Sequence, residues 1–246
     1  MQRYFANNVG NSFIIKDDDY HHIVRVMRMV EGNEIYCVNN AQQVARCTIE
    51  NITENQVNAK VVQWLEEEIE LPIHVSIVSG LPKGDKLEWI IQKGTELGAN
   101  KFIPFIAARS VVKWDEKKGD KKLNRWNKIA KEAAEQSHRT KVPEVCAPVK
   151  LQELIQYAEG YDMKIIAYEE EAKLGESANL VKSLNGMKKG QSLLAVFGPE
   201  GGIGEKEIDL LTKHGFTVCG LGPRILRTET APLYLLSAVS YHFELK

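Results

Sequence analysis

The stretch Phe197-Gly198-Pro199-Glu200-Gly201-Gly202-Ile203-Gly204 decides how the carboxyl half of this chain is interpreted. It follows the apolar run Leu193–Phe197 and precedes the helical pattern Glu205–His214. Four glycines in seven residues permit positive φ angles and close approach of the backbone to a ligand. The spacing is not the G-x-G-x-x-G of dinucleotide-binding folds, and a simple chain-reversing turn is the alternative interpretation. The pattern predicts a strand, then a ligand-binding loop or a turn, and then a helix.

A second glycine-bearing stretch lies nearer the C-terminus. Its sequence is Gly220-Leu221-Gly222-Pro223-Arg224-Ile225-Leu226-Arg227-Thr228-Glu229-Thr230-Ala231. The apolar residues that offer a surface to a flat ring are Leu221, Ile225 and Leu226, and Gly222 exposes backbone groups beside them. The nearby charges of Arg224, Arg227 and Glu229 also fit a solvated loop before a capped helix. Parallel sheets bind ligands outside the carboxyl ends of their strands, so two such loops favour a ligand site.

Beyond Pro72, short apolar runs alternate with helical patterns. The predicted strands are Ile73–Ser79, Phe102–Phe105, Lys164–Tyr168, Leu193–Phe197 and Thr217–Leu221. The predicted helices are Asp85–Leu97, Leu123–Ser137, Glu205–His214 and Ala231–His242, with Asp85 and Thr230 as candidate caps and Gly98 as a terminator. This alternation predicts an α/β fold, a mostly parallel sheet with helices on both faces.

The first seventy residues have a different texture, with short β-branched runs separated by polar turn pairs. The runs are Phe13–Ile15, Glu34–Val38, Val44–Ile49 and Val57–Val62. Short strands at this spacing predict a small β-barrel. The acidic run Glu66–Glu70 before Pro72 marks a domain boundary. We therefore expect a barrel domain over residues 1–70 and the α/β domain over residues 71–246.

The charge distribution limits what kind of partner the chain attracts. The net charge is only -1, so attraction to nucleic acid requires a local patch. From Lys113 to Lys141 there are ten Lys or Arg against five Asp or Glu, a local net charge of +5, with Trp114 and Trp126 among them. That stretch suits phosphate groups, although a solvated helix face laced with ion pairs has the same composition.

Cysteine usage and the N-terminus indicate a compartment. Cys37, Cys47, Cys146 and Cys219 lie far apart without metal-ligand spacing, so we expect reduced, buried thiols and no metal site. The N-terminus lacks the basic and apolar pattern of a signal peptide. We therefore expect a cytoplasmic location.

The motifs resemble those of a known family. Gly198–Gly202, then Leu221-Gly222 and Ile225–Ala231, are similar to the 16S ribosomal RNA (uracil-N3)-methyltransferases of the SPOUT superfamily. The segment Lys93–Gly98 resembles the family's KxTELG helix end, and Glu135–Arg139 resembles its EQSxR segment. The N-terminal segments Arg3–Phe5 and His21–Arg28 resemble the family's PUA-like RNA-binding domain, so the resemblance covers essentially the whole chain.

The resemblance implies a fold, a cofactor and partners. It implies a C-terminal trefoil knot, a homodimer, S-adenosyl-L-methionine as cofactor and 16S rRNA of the small ribosomal subunit as substrate. The residues it assigns to the cofactor are Gly198, Pro199, Glu200, Gly201, Gly202, Leu221, Gly222, Ile225 and Leu226. The residues predicted to contact RNA are Arg3, Arg25, Arg28, Gln136 and Arg139.

The implied reaction defines candidate catalytic residues. Uridine N3 carries a proton that must leave before or during attack, so a group is needed to stabilise the uracil anion. Arg227 is the candidate, with Arg224 as its alternate. Glu229 either orients the arginine, acts as a base if burial raises its pKa, or simply caps a helix. Alternative functions are ribose methylation of another RNA, and RNA binding in ribosome assembly without catalysis. A nicotinamide dehydrogenase fits worst, because the acidic residue expected after a glycine fingerprint is not evident.

Overall fold

The computed structural model describes residues 1–112, 114, 115, 117, 119–168 and 178–246. These residues divide into two compact units, Met1–Glu70 with Ala134–Lys141, and Leu71–Ala133 with Val142–Lys246. In the described part of the chain, no helix combines the length and the apolar character needed to cross a membrane.

The first unit is a six-stranded sheet. Its strands are β1 (Arg3–Phe5), β2 (Asn7–Val9), β3 (Ser12–Lys16), β4 (Glu34–Val38), β5 (Val44–Ile52) and β6 (Gln56–Leu65). The strand order is β1-β4-β5-β6-β3-β2, antiparallel except for the parallel pair β1 and β4. A short helix, α1 (Asp17–His21), continues as a π-helical turn over His22–Val26.

The order of the strands shows that this sheet curls. Strands β1 and β2 lie at opposite edges of the sheet, yet only Ala6 separates them in the chain. A flat sheet with strands about 4.8 Å apart would hold those edges roughly 24 Å from each other. Two residues of chain span only about 7 Å, so the edges must meet. The barrel predicted from the sequence is confirmed.

The second unit is built on a six-stranded parallel sheet. Its strands are β7 (His74–Gly80), β8 (Lys101–Phe105), β9 (Glu144–Val145), β10 (Met163–Ala167), β11 (Ser192–Phe197) and β12 (Thr217–Cys219). The strand order is β12-β10-β11-β7-β8-β9, and every pair is parallel. The helices are α2 (Lys86–Glu96), α3 (Gly119–Gln136), α4 (Leu151–Ala158), α5 (Ala178–Gly186), α6 (Glu205–Lys213) and α7 (Thr230–Ser240), and α7 continues as a π-helical turn, Tyr241–Leu245.

Helices cover both faces of this sheet, as the sequence predicts. Successive residues of a strand point to opposite faces, and the neighbours Ile77 and Val78 of β7 belong to two separate buried clusters. The first cluster includes side chains of α2 and α7, such as Ile90 and Leu235, while the second includes Leu211 of α6. Because both faces of the sheet are covered, its buried strands appear in the sequence as mostly apolar runs rather than as alternating apolar and polar residues.

The predicted helix ends are only partly correct. Gly98 follows α2 with φ +92°, and a β-carbon there would lie 2.6 Å from Leu71 Cγ, so glycine ends this helix as expected. Asp85 precedes α2 as predicted, but its side chain makes no capping hydrogen bond. The Thr230 cap is wrong, because α7 begins at Thr230 and Glu229 occupies the preceding position.

Two arginines of the first unit are buried in ion pairs. Arg3 is 2% exposed, and its guanidinium donates to Glu67 at 2.7 Å and to the carbonyl of His138 at 2.6 Å. Arg139 is 3% exposed and binds the carboxylate of Glu70, which also accepts the backbone N–H of Thr140 at 2.9 Å. These bonds attach the segment Ala134–Lys141 to the first unit.

We expect Arg139→Met to lower the free energy of unfolding by about 3 kcal/mol, because it leaves a largely buried carboxylate without its cation. Urea denaturation followed by circular dichroism measures this loss. The control is Arg46→Met, which breaks a half-exposed pair with Glu34 of the same unit and should cost less than about 1 kcal/mol. Equal losses in the two variants would contradict a structural role for the buried pair.

Candidate active site

A cavity of about 500 Å³ lies at the carboxyl ends of the parallel strands. It is lined by Phe197–Ile203 after β11, Leu221–Thr228 after β12, Ala167 and Tyr168 at the end of β10, Arg109 after β8, and Lys86 and Ala231 in α2 and α7. The two glycine-bearing loops therefore meet in one cavity, at the sheet edge where parallel folds bind ligands. All nine residues assigned to the cofactor line it, and their contact with a cofactor stays a prediction.

The first glycine-bearing loop is held by close backbone contacts. Gly202 N–H donates to the carbonyl of Pro199 at 2.8 Å, and Gly202 has φ +71°. A β-carbon on Gly201 would lie 2.8 Å from the carbonyl oxygen of Arg109. One on Gly80, at the end of β7, would lie 2.5 Å from Pro199 N. Glycine is required at both places, since three backbone segments approach too closely for any side chain.

The carboxylate of Glu207 holds the same loop in place. Glu207 is 6% exposed, and its carboxylate accepts the N–H of Gly204 at 2.9 Å and the N–H of Ala108 at 2.8 Å. It therefore joins the first turn of α6 to the loops after β11 and β8. Glu207 was not predicted as a site residue, although a glutamate three residues after the position preceding a helix is a capping signal.

The second loop presents charge and apolar surface together. Gly222 has φ +96°, and Ile225 is 68% exposed. The side chains of Arg224 and Arg227 are exposed and line the cavity. The carbonyl of Arg227 accepts the N–H of Thr230 at 2.8 Å, so the backbone of this loop satisfies the start of α7.

An ionic cluster lies at the edge of the cavity. Lys86 Nζ lies 2.8 Å from Glu200 Oε1 and 3.5 Å from Glu229 Oε2. Burial alone raises the pKa of Glu200, but hydrogen bonds from Lys86 and from backbone N–H groups outweigh it, so the pKa lies below its usual range. The bond to Glu200 in turn raises the pKa of Lys86. Glu229 is not among the described residues that line the cavity; its carboxylate faces Lys86 instead.

Four lining residues outside the two glycine-bearing stretches were not predicted as site residues: Lys86, Arg109, Ala167 and Tyr168. A signal for Lys86 existed, since Leu81-Pro82-Lys83-Gly84-Asp85-Lys86 is a third glycine-bearing connection from a strand to a helix. Arg109 and Tyr168 follow strands β8 and β10 and carry no local pattern. Their position depends on the strand order, which local sequence does not determine.

The residues predicted to contact RNA belong to the first unit and fall into two groups. Arg25, Arg28 and Gln136 are exposed. Arg3 and Arg139 are buried in the ion pairs described above, so their guanidinium groups are engaged within the protein, and burial argues against the RNA role predicted for them.

The basic stretch Lys113–Lys141 is described only in part, because Lys113, Glu116 and Lys118 lie outside the described residues. Trp126 is 5% exposed and packs against Trp114 with ring centroids 5.6 Å apart. Lys122 Nζ lies 5.6 Å from the centre of the Trp114 ring. These tryptophans pack against each other and a lysine.

The chain matches known families and solved structures. Models described as RNA methyltransferase domain and RNA methyltransferase PUA domain match residues 69–240 and 15–62, respectively. Ribosomal RNA small subunit methyltransferase E of Bacillus subtilis is 53% identical over 251 residues, covering 100% of this chain and 98% of that protein.

Two solved structures of similar fold contain a bound cofactor. One is a methyltransferase from Legionella pneumophila in complex with S-adenosylmethionine (TM-score 0.85, 29% identity, 98% and 97% of the two chains covered). The other is ribosomal RNA small subunit methyltransferase E from Neisseria gonorrhoeae bound to S-adenosylmethionine (TM-score 0.84, 26% identity, the same coverage).

We expect Gly201→Val to abolish measurable binding of S-adenosylmethionine, because its β-carbon would meet the Arg109 carbonyl oxygen at 2.8 Å and displace the loop. Isothermal titration calorimetry measures the binding. The control is Gly160→Val, since Gly160 has open space around its β-carbon position. Normal affinity in the Gly201 variant would mean that this loop does not form the binding site.

Proposed function

Because this chain belongs to the RNA methyltransferase family, we propose that it methylates N3 of a uridine in 16S ribosomal RNA with S-adenosylmethionine as methyl donor. The observation that carries the proposal is one cavity in which two glycine-bearing loops and two exposed arginines meet. The name of the Bacillus subtilis relative, ribosomal RNA small subunit methyltransferase E, supports the substrate class. The choice of uridine N3 rests on the resemblance of the motifs.

The cavity suits the methyl donor. A volume of about 500 Å³ is within the usual range for ligand sites. Leu221, Ile225 and Leu226 offer apolar surface for an adenine ring, and the backbone of Gly222 offers polar groups beside it. The glycines of the first loop keep β-carbons out of the space that the ligand needs. When bound, the donor supplies an electrophilic methyl group on a positively charged sulfur.

The protein's own contribution is to prepare the uracil. Loss of the N3 proton to solvent, before the base is enclosed, leaves a negative charge on the ring. A guanidinium group placed beside the ring stabilises that charge most where water is excluded. Arg227 lines the cavity and is exposed, and we assign it this role, with Arg224 as alternate. Glu229 Oε2 lies 3.5 Å from Lys86 Nζ, which favours a structural role for this carboxylate over that of a base.

The first unit is proposed to hold the RNA, with its exposed Arg25, Arg28 and Gln136 as contacts. The match of residues 15–62 to a PUA domain of RNA methyltransferases supports this division of labour. We further propose a trefoil knot in the second unit and action as a cytoplasmic homodimer on the small ribosomal subunit. Exposed Tyr234, Tyr241 and Leu245 near the C-terminus offer apolar surface for a second copy.

Mass spectrometric mapping of 16S ribosomal RNA from cells with and without the gene tests the function. We expect one methyluridine to disappear with the gene and to return when the intact gene is restored. Fragmentation locates the methyl group on the base or on the ribose. A lost ribose methyl would favour the 2'-O-methyltransferase alternative, and an unchanged profile would overturn the substrate assignment.

We expect Arg227→Ala to lower turnover on the order of 10²-fold, the usual effect of removing one donor to a developing anion. Affinity for S-adenosylmethionine should change less than about threefold, because the guanidinium acts on the uracil. Single-turnover methylation and calorimetry measure the two quantities. The control is Lys213→Ala, an exposed cation at the far end of α6. Equal loss of affinity and turnover would mean that Arg227 shapes the cofactor pocket.

A further inference from the structure

Lys86 contacts both of the loops that form the cavity. Its ammonium group donates to Glu200 Oε1 in the loop after β11, at 2.8 Å, and lies 3.5 Å from Glu229 Oε2 at the end of the loop after β12. The same Glu200 oxygen accepts the N–H of Lys83 at 3.2 Å. Glu229 Oε2 is enclosed and accepts no hydrogen bond among the described residues, so Lys86 is the cation that faces it.

The sheet does not join the two loops directly. Strands β11 and β12 are not neighbours, since β10 lies between them in the strand order. Their carboxyl ends are therefore separated by two strand spacings, about 10 Å. Lys86 begins α2, and the following Leu87 and Ile90 are buried in the core. The Lys86 side chain therefore extends to both loops from a helix that is anchored in the core.

We propose that Lys86 is a positioning residue that couples the two cavity loops and holds the cavity in the shape that binds the methyl donor. The ammonium group donates one hydrogen bond to Glu200, and its charge faces the Glu229 carboxylate at 3.5 Å, so it interacts with both carboxylates at once. The proposal rests on the proposed function only for the identity of the ligand. The coupling itself is a property of the protein without any ligand.

The exposure of the three charged side chains limits how much stability and affinity the loss of Lys86 can cost. The side chains of Lys86, Glu200 and Glu229 are 35%, 28% and 17% exposed, so solvent screens both contacts and each pair contributes little to folding. A ligand that occupies the cavity binds only when both loops are in place. We therefore expect roughly a fivefold loss of affinity when the link is removed, with folding nearly unchanged.

Hydrogen–deuterium exchange of the ligand-free protein tests the coupling directly. In Lys86→Met we expect faster amide exchange in both residues 198–204 and residues 220–229. Lys86→Arg should restore most of the protection, because it keeps the charge. The control is Lys101→Met, which removes an equally close pair, with Glu144 at 2.9 Å, at the amino end of β8. That variant should leave both loops unchanged.

Affinity for S-adenosylmethionine is then measured by calorimetry in the same variants. Among these variants, only Lys86→Met is expected to bind with a Kd about fivefold higher than that of the wild-type protein. At 1 M salt, where charges are screened, the two Kd values should differ less. A purely steric role for the lysine stem would give a difference that salt does not change.

The outcomes separate this inference from the proposed function. Faster exchange in only one loop, or in neither, overturns the coupling, whatever the ligand. An unmodified protein that binds no S-adenosylmethionine overturns the proposed function, while the exchange comparison still decides the coupling. A protein that binds and methylates normally with Lys86→Met retains the proposed function and overturns the role of Lys86.

Discussion

The cavity depends on backbone segments that approach one another more closely than a β-carbon permits. The end of β7 meets the glycine-bearing loop at Gly80, where an added β-carbon would lie 2.5 Å from Pro199 N. The loop after β8 meets it at Gly201, against the carbonyl of Arg109. Because main chain rather than side chains forms these contacts, strand order and glycine set how closely the first loop approaches its neighbours. Side chains such as Glu207 and Lys86 then hold the loops in place, and Arg227 supplies charge at the cavity.

The same residue type serves opposite purposes in the two units, and burial distinguishes them. Arg3 and Arg139 are almost fully enclosed and paired with carboxylates in the first unit. A buried guanidinium without its partner is costly, so these arginines are committed to the fold. Arg224 and Arg227 are exposed and border a cavity, so their charge remains available to a ligand. Whether an arginine in a motif stabilises the fold or can bind a ligand therefore depends on whether it is buried in an ion pair or exposed beside a cavity.

The sequence predicted the architecture well because the signals for it are local. Apolar runs and glycine-terminated helices revealed the parallel sheet and both cavity loops. Among the described elements, the strands β1, β2 and β9 and the helices α1, α4 and α5 were not predicted. Residues whose role depends on distant partners were not found. Glu207 bonds to Ala108, 99 residues away, and Lys86 to Glu200, 114 residues away. The strand order that brings them together is a property of the whole sheet, and no window of sequence contains it.

The segment Glu135–Arg139 shows why a matched motif needs a physical interpretation. Its resemblance to a family motif predicted contact with RNA, yet the carbonyl of His138 and the guanidinium of Arg139 are bound within the first unit. Glu70, the acceptor for Arg139, lies in the acidic run Glu66–Glu70, which was predicted to mark a domain boundary. Arg139 of the motif and Glu70 of the acidic run therefore form one ion pair within the first unit. Gln136 is the exposed member of the motif. The contacts of His138 and Arg139 are therefore accounted for by folding of the first unit, without any contact with RNA.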